Sequence, residues 1–260
     1  MSEVRNSLKE RLARGEVASS MTVRLTRGIE IAQLAKTAGF DSLYIDLEHS
    51  SLSLETTSQI CVAALGCGIA PLVRVPQLEL VQRVLDGGAL GIIVPDVRSA
   101  GQAREAVNAA KYPPLGERGF ATTLPHFQYR SLPAKEGHAA LNDATMVIVQ
   151  FESAEGVNNA EGIFAVEGVD MALFGTNDLT ADMGIPGDYE NARVRDGYAR
   201  AIAAAKKHGK HVGVGGLASR PKLTAEFVKM GARYVSTGTD LGFLLSAATA
   251  SARQVRELEV

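Results

Sequence analysis

The chain has 260 residues, 46 % of them hydrophobic, enough for one large core and within the size of a single domain. Twenty-seven basic residues against 29 acidic ones leave a formal charge of −2, which gives no general drive toward nucleic acid or an anionic membrane. No apolar run reaches the roughly 18 residues needed to cross a bilayer. The opening segment, MSEVRNSLKERLARGE, lacks the apolar centre of a signal peptide, so a cytoplasmic protein is expected.

In chain order, the first sixteen residues predict a helix that plugs the bottom of a barrel. Apolar, β-branched runs then predict strands near 18–23, 42–46, 71–75, 91–94, 145–151, 170–174, 211–214 and 233–236. Helical patterns lie between them near 28–38, 54–67, 78–87, 99–110, 155–162, 192–208 and 219–230, with a last one near 240–254. Runs such as VIV and LVRV are apolar at consecutive positions, as strands covered on both faces require. Eight such strands with intervening helices predict one α/β domain over residues 1–260, a (β/α)₈ TIM barrel. An open doubly wound sheet is the structural alternative. Cys61 and Cys67 are six apart on a predicted helix, a spacing that suits buried thiols and no disulfide framework. Residues 111–136, rich in proline and aromatic side chains, form a long insertion of the kind that often serves as a lid or rim.

Charged and polar residues fall at the downstream tips of the apolar runs. SLYIDLEH ends in Asp46, Glu48 and His49, APLVRV carries Arg74, MVIVQFE ends in Gln150 and Glu152, and MALFGTNDL ends in Asp178. A charge following a buried strand is costly unless a site uses it, and the downstream strand ends are where barrels carry their chemistry. Gln150 and Glu152 are two apart and share one face of their strand. Glu152 and Asp178 suit a divalent cation such as Mg²⁺, Mn²⁺ or Co²⁺, or else bonds to backbone amides or an arginine. His49 is a proton shuttle or a cap. Arg74, inside an apolar strand, needs an anion, from the protein or from a substrate. The glycines of GVGGLAS and TGTD suit an anion cradle or plain tight turns. No lysine falls within a predicted strand, so carbonyl activation by a Schiff base has no good candidate.

Together, DSLYIDLEHSSLSLE, PLVRV, the YPPLGERG segment, VIVQFES, VEGVDMALFGTNDLTADMG and GARYVSTGTDLGFLL resemble the HpcH/HpaI family of metal-dependent class II pyruvate aldolases, over about residues 20–250. The resemblance implies a (β/α)₈ barrel assembled as a homo-oligomer, a hexamer built as a trimer of dimers that exchange their last helix. It implies reversible cleavage of a 4-hydroxy-2-oxo acid to pyruvate and an aldehyde, both small-molecule partners; the charge balance already predicts no nucleic acid or membrane partner. The divalent metal would be held by Glu152 and Asp178. Arg74 would contact the pyruvyl oxygens, His49 would move protons with Asp46 orienting it, and Gln150 would touch pyruvate. The turn Gly175, Thr176 and Asn177 would hold the substrate carboxylate through its backbone amides, and Asp86 would reach a neighbouring subunit's site. Two departures stand out: Gly175-Thr176-Asn177-Asp178 replaces a common G-P-A-D, and His126 stands where an arginine is frequent, in a loop expected to shape the aldehyde side. These motivate an alternative: a metal-dependent oxaloacetate decarboxylase, or an enolate carbon–carbon bond-forming enzyme like macrophomate synthase.

Overall fold

The computed structural model describes residues 4–258. Eight parallel strands close into a barrel in sequence order. They are β1 (Ala18–Val23), β2 (Ser42–Asp46), β3 (Ala70–Arg74), β4 (Gly91–Val94), β5 (Met146–Phe151), β6 (Met171–Gly175), β7 (His211–Gly215) and β8 (Tyr234–Thr239). Each lies within a few residues of its predicted position, and the open-sheet alternative does not occur.

The two-residue period of a strand sorts side chains into two cores. On β5, Val147, Val149 and Phe151 face outward into the layer shared with the helices. Met146 and Ile148 face inward, with Tyr44, Ala70, Leu72, Ile93, Met171, Leu173 and Tyr234 from other strands. One further step along the inward rows reaches Asp46, Arg74 and Gln150, where the interior turns polar. The inward rows are apolar low in the barrel and charged at its downstream end.

The predicted bottom plug is present as helix Ser7–Ala13, whose Leu8 and Leu12 are fully buried in the interior core. Asn6 caps it and also donates from Nδ2 to the carbonyl of Ala144 at 2.8 Å, tying the plug to the barrel floor. The helix predicted over 155–162 is two short ones, Ala154–Asn158 and Ala160–Phe164, and the one over 78–87 opens with a 3₁₀ turn, Leu78–Leu80, before Val81–Asp86. Cys61 is buried and Cys67 half-buried, and both are free thiols. No helix among the described residues is long and apolar enough to cross a membrane.

The insertion departs most from the lid or rim expected of it. It follows helix Ala100–Ala110, which returns the chain to the end where strands begin, so it lies at the barrel's floor rather than at its mouth. Pro125, His126, Gln128 and Tyr129 line a separate hollow there with Ile69 and Leu90. His126 Nε2 lies 3.0 Å from the Ala89 carbonyl oxygen, and burial holds its pKa down to about 4. A helix, Ala134–Ala144, closes the excursion where none was predicted. Lys111 staples its two ends by donating to the carbonyls of Asn142 and Thr145. Burial lowers the Lys111 pKa to about 8, but the residue sits far from the downstream strand ends.

Candidate active site

A cavity of about 480 Å³ opens at the downstream end of the barrel. His49, Arg74, Gln150, Gly175, Asn177 and Asp178 line it, as do Thr22, Arg24, Tyr44, Ser219 and Ser236. Strand register assembles the charged row on one side. Asp46 is paired with Arg74 across β2 and β3, and Val23 with Ile45 across β1 and β2, so the next step sets Arg24 beside Asp46.

Asp46 is fully buried between these two arginines. Arg74 grips it through one edge of the guanidinium by two parallel bonds, Nε to Oδ1 at 2.8 Å and Nη2 to Oδ2 at 2.6 Å. Arg24 Nε donates to Oδ2 at 2.6 Å. Arg74 Nη1 also stands 2.8 Å from Glu48 Oε2, at ion-pair distance though outside hydrogen-bond geometry. Burial works against the charged forms of both partners. The hydrogen bonds between them, together with the attraction of the surrounding opposite charges, outweigh it, leaving the Asp46 pKa below the usual carboxylate range and that of Arg74 raised. The anion that Arg74 requires is therefore a protein acid, and its guanidinium still faces the cavity.

Asp46 does not orient the His49 ring. Its Oδ1 accepts the backbone N–H groups of Glu48 and His49, at 3.1 and 3.2 Å, so it shapes the turn after β2. The ring is about half exposed, with Nε2 3.8 Å from Glu48 Oε2.

Across the barrel, Gln150 and Glu152 emerge from the end of β5. Gln150 is 5 % exposed, and its Oε1 has no hydrogen-bond partner among the described residues. Glu152 Oε2 accepts the Asp96 N–H at 2.9 Å, delivered by a left-handed turn after β4 in which Asp96 has φ 47°. The Glu152 pKa is pushed up to about 7, chiefly by burial and then by the negative charge of Asp178, against the Asp96 N–H. Asp178 is thus near enough to act on Glu152. It is exposed at the cavity edge, in the first turn of helix Thr176–Asp182.

Of the three turn residues before it, Gly175 provides room: a Cβ there would lie 2.6 Å from Glu152 Oε1 and 3.1 Å from Gln150 Nε2. Thr176 is buried, and its hydroxyl donates to the Gly215 carbonyl at 2.7 Å and meets the Tyr198 hydroxyl at 2.9 Å, so only its backbone is available to a ligand. Asn177 Oδ1 accepts from the Tyr189 hydroxyl. Asp86 is not brought to this cavity. It ends a helix running toward the floor and pairs with the buried Arg118 at 2.6 Å.

Two site residues went unrecognised in the sequence, Arg24 and Tyr44. Arg24 had a signal, since it follows the apolar end of β1 as the acids follow β2 and β5. Tyr44 had only its parity with Asp46.

The architecture recurs in known proteins. The 4-hydroxy-4-methyl-2-oxoglutarate aldolase of Hapsidospora irregularis is 40 % identical, over 98 % of this chain and 96 % of its own length. The 5-keto-4-deoxy-D-glucarate aldolase of Klebsiella pneumoniae is 35 % identical, over 93 % of each. The crystal structure of an HpcH/HpaI aldolase from Desulfitobacterium hafniense superposes with a TM-score of 0.91 at 31 % identity, over 98 % of each chain. Residues 26–247 match the HpcH/HpaI aldolase/citrate lyase family along most of the barrel, and with the charged row of β1–β3 facing the acids of β5 and β6, the chain belongs to that family.

Proposed function

We propose that this protein is a divalent-metal-dependent class II pyruvate aldolase, a carbon–carbon lyase that reversibly cleaves a 4-hydroxy-2-oxo acid into pyruvate and a carbonyl partner. The observation that carries the metal is Glu152, a half-buried carboxyl whose pKa is raised by partial burial and by a second acid, Asp178, at the cavity edge. A cation between them would relieve both effects. The donors are hard oxygens, and the unpartnered Gln150 Oε1 is a further polar atom nearby. Among the described residues no three His, Cys, Asp or Glu side chains form an ion cage, so the remaining ligands would come from water and substrate. When bound, such an ion supplies Lewis-acid polarisation of the pyruvyl carbonyl.

The protein's own side chains do the rest. Arg74, locked by Asp46, presents fixed positive charge to the oxygen on which negative charge collects as the C3–C4 bond breaks. Gln150 orients the pyruvyl end. His49, exposed at the mouth, takes the C4 hydroxyl proton and exchanges it with solvent. The backbone amides of the Gly175–Asn177 turn receive the substrate carboxylate. The reading carries with it a cytoplasmic homo-oligomer, a hexamer of paired dimers, supported by Leu241, Leu244 and Leu245 exposed on the last helix. It also leaves Asp86 to serve a neighbouring subunit.

Exhaustive treatment with EDTA should abolish both aldol cleavage and exchange of the pyruvate C3 protons in deuterated water. Mn²⁺, Mg²⁺ or Co²⁺ should restore them. Turnover that survives complete metal removal would end this reading, and carbon dioxide release from oxaloacetate faster than any aldol cleavage would mark a decarboxylase instead.

Gly175→Ala should lower kcat/KM by about 10²-fold, because reacting groups tolerate displacements of roughly 1 Å at about that cost. The glycine has φ −89°, accessible to alanine, so the effect arises from Glu152 being pushed aside and not from backbone strain. The melting temperature should barely change. A variant of wild-type rate would show that Glu152 need not hold its position.

A further inference from the structure

We propose that Arg24 is the side chain that binds the distal carboxylate of the substrate, and so the residue by which the site selects a carboxylated carbonyl partner over a neutral one. Two guanidiniums line the charged side of the cavity, and they differ in what they have left to give. Arg74 commits its Nε–Nη2 edge to Asp46 and points Nη1 at Glu48. Arg24 commits only Nε, to Asp46. Its Nη1 and Nη2 have no partner among the described residues, and the side chain is 36 % exposed at the cavity wall. Those two nitrogens carry paired N–H donors in the fork geometry that matches a carboxylate.

The placement fits the far end of a bound substrate. In a closed ring of eight strands, β1 lies opposite β5, so Arg24 faces Glu152 across the mouth. With the pyruvyl end held at the β5 and β6 side, an orientation that rests on the aldolase reading above, C4 and its substituents extend toward β1. The wall on the way, at β7 and β8, is built from small residues such as Gly215, Gly216, Ser236 and Gly238, which leave room for a branched C4.

The local charge balance tolerates an anion there, and rigidity favours one. Asp46 and Glu48 balance Arg24 and Arg74, so an incoming carboxylate meets no unpaired acid on that side. Asp240, the nearby acid at the start of the last helix, is occupied by the backbone N–H groups of Arg24, Leu25, Thr26 and Leu241. These same bonds fix the Arg24 backbone, so little ordering is required when a ligand arrives.

The test compares two non-cleavable ligands of equal length, 2-oxoglutarate and 2-oxopentanoate, by calorimetric titration of the Mn²⁺-loaded protein. They share the keto-acid end and differ in the distal carboxylate. Wild type should bind 2-oxoglutarate at least about tenfold more tightly, the scale of one charge-assisted bidentate contact. The preference should shrink with added salt. Arg24→Met should reduce it to about twofold or less, and Arg24→Lys should retain part of it. The inference is overturned if wild type shows no preference, a result that needs no variant to fold, or if Arg24→Met keeps it. Because the readout is binding, a lost preference in Arg24→Met supports the assignment even if no aldol cleavage is found, in which case only the aldolase reading falls. Cleavage with a preference indifferent to Arg24 would overturn this inference and leave that reading intact.

Discussion

Glu152→Gln should reduce metal-dependent turnover by about 10³-fold or more, since the substitution removes the charge of one of only two acids assigned to the cation. The side chain keeps its shape and an acceptor for the Asp96 N–H, so the barrel should fold normally. The same carboxyl sets a pH dependence. Its folded pKa is about 7 against an ordinary value of 4.5, raised first by burial and next by Asp178. Between those values the folded protein holds a proton that the unfolded chain has lost. In the metal-free protein the Glu152 contribution therefore weakens stability as pH rises from about 4.5 through about 7. A divalent cation binds the deprotonated form and opposes this loss. Metal affinity should accordingly rise with pH up to about 7 and then level, with proton release on binding. Calorimetry in buffers of different ionisation enthalpy measures the released proton. Thermal melts of metal-free wild type and Glu152→Gln at pH 5.5 and 7.5 isolate the stability change. Metal affinity that ignores pH would remove Glu152 from the ion, and a metal-free variant whose melting shift between the two pH values matches wild type would remove Glu152 as the source of the stability change.

What the sequence disclosed and what it withheld follow from distance along the chain. Strand positions were legible because inward and outward rows are both apolar in a buried parallel sheet, and Gln150 and Glu152 were legible as a pair because strand parity is local. The partners of Asp46 were not. Whether its oxygens meet the His49 ring, the His49 backbone or two arginines depends on the register of β1, β2 and β3, which no segment encodes by itself. Arg24 was overlooked for the same reason: read alone, an arginine after a strand is an ordinary rim residue, and its role arises from a neighbour 22 positions away. The insertion was legible as irregular, but its end of the barrel follows from chain direction, since a segment leaving a helix and entering a strand belongs at the floor. Helix Ala134–Ala144 contains glycine, histidine and asparagine, which weaken its local signal. It forms because Leu141 packs with Tyr112, Leu124 and Phe127 in a small satellite core.

Arg74→Lys should lower kcat by about 10²-fold with a smaller change in KM, equivalent to about 2.7 kcal/mol of lost transition-state stabilisation. Lysine retains the charge but cannot grip Asp46 by two parallel bonds, so the cation is no longer held where charge develops. Arg74→Ala is a poorer probe, because it leaves the fully buried Asp46 with Arg24 as its one remaining cation. Removing one member of a buried pair typically costs about 3–5 kcal/mol of stability. Asp46→Asn probes the anchoring, since it keeps an Oδ1 for the Glu48 and His49 N–H groups while weakening the grip on Arg74 and on Arg24. Were the two residues one unit, the Arg74→Lys and Asp46→Asn double variant should fall little below the worse single variant, a non-additivity that independent residues would not show. Steady-state kinetics on the four proteins, with melting temperatures recorded alongside, decide the matter. Additive losses would mean that Arg74 holds its position without Asp46. An Arg74→Lys rate within threefold of wild type would mean that no fixed guanidinium is needed at that oxygen.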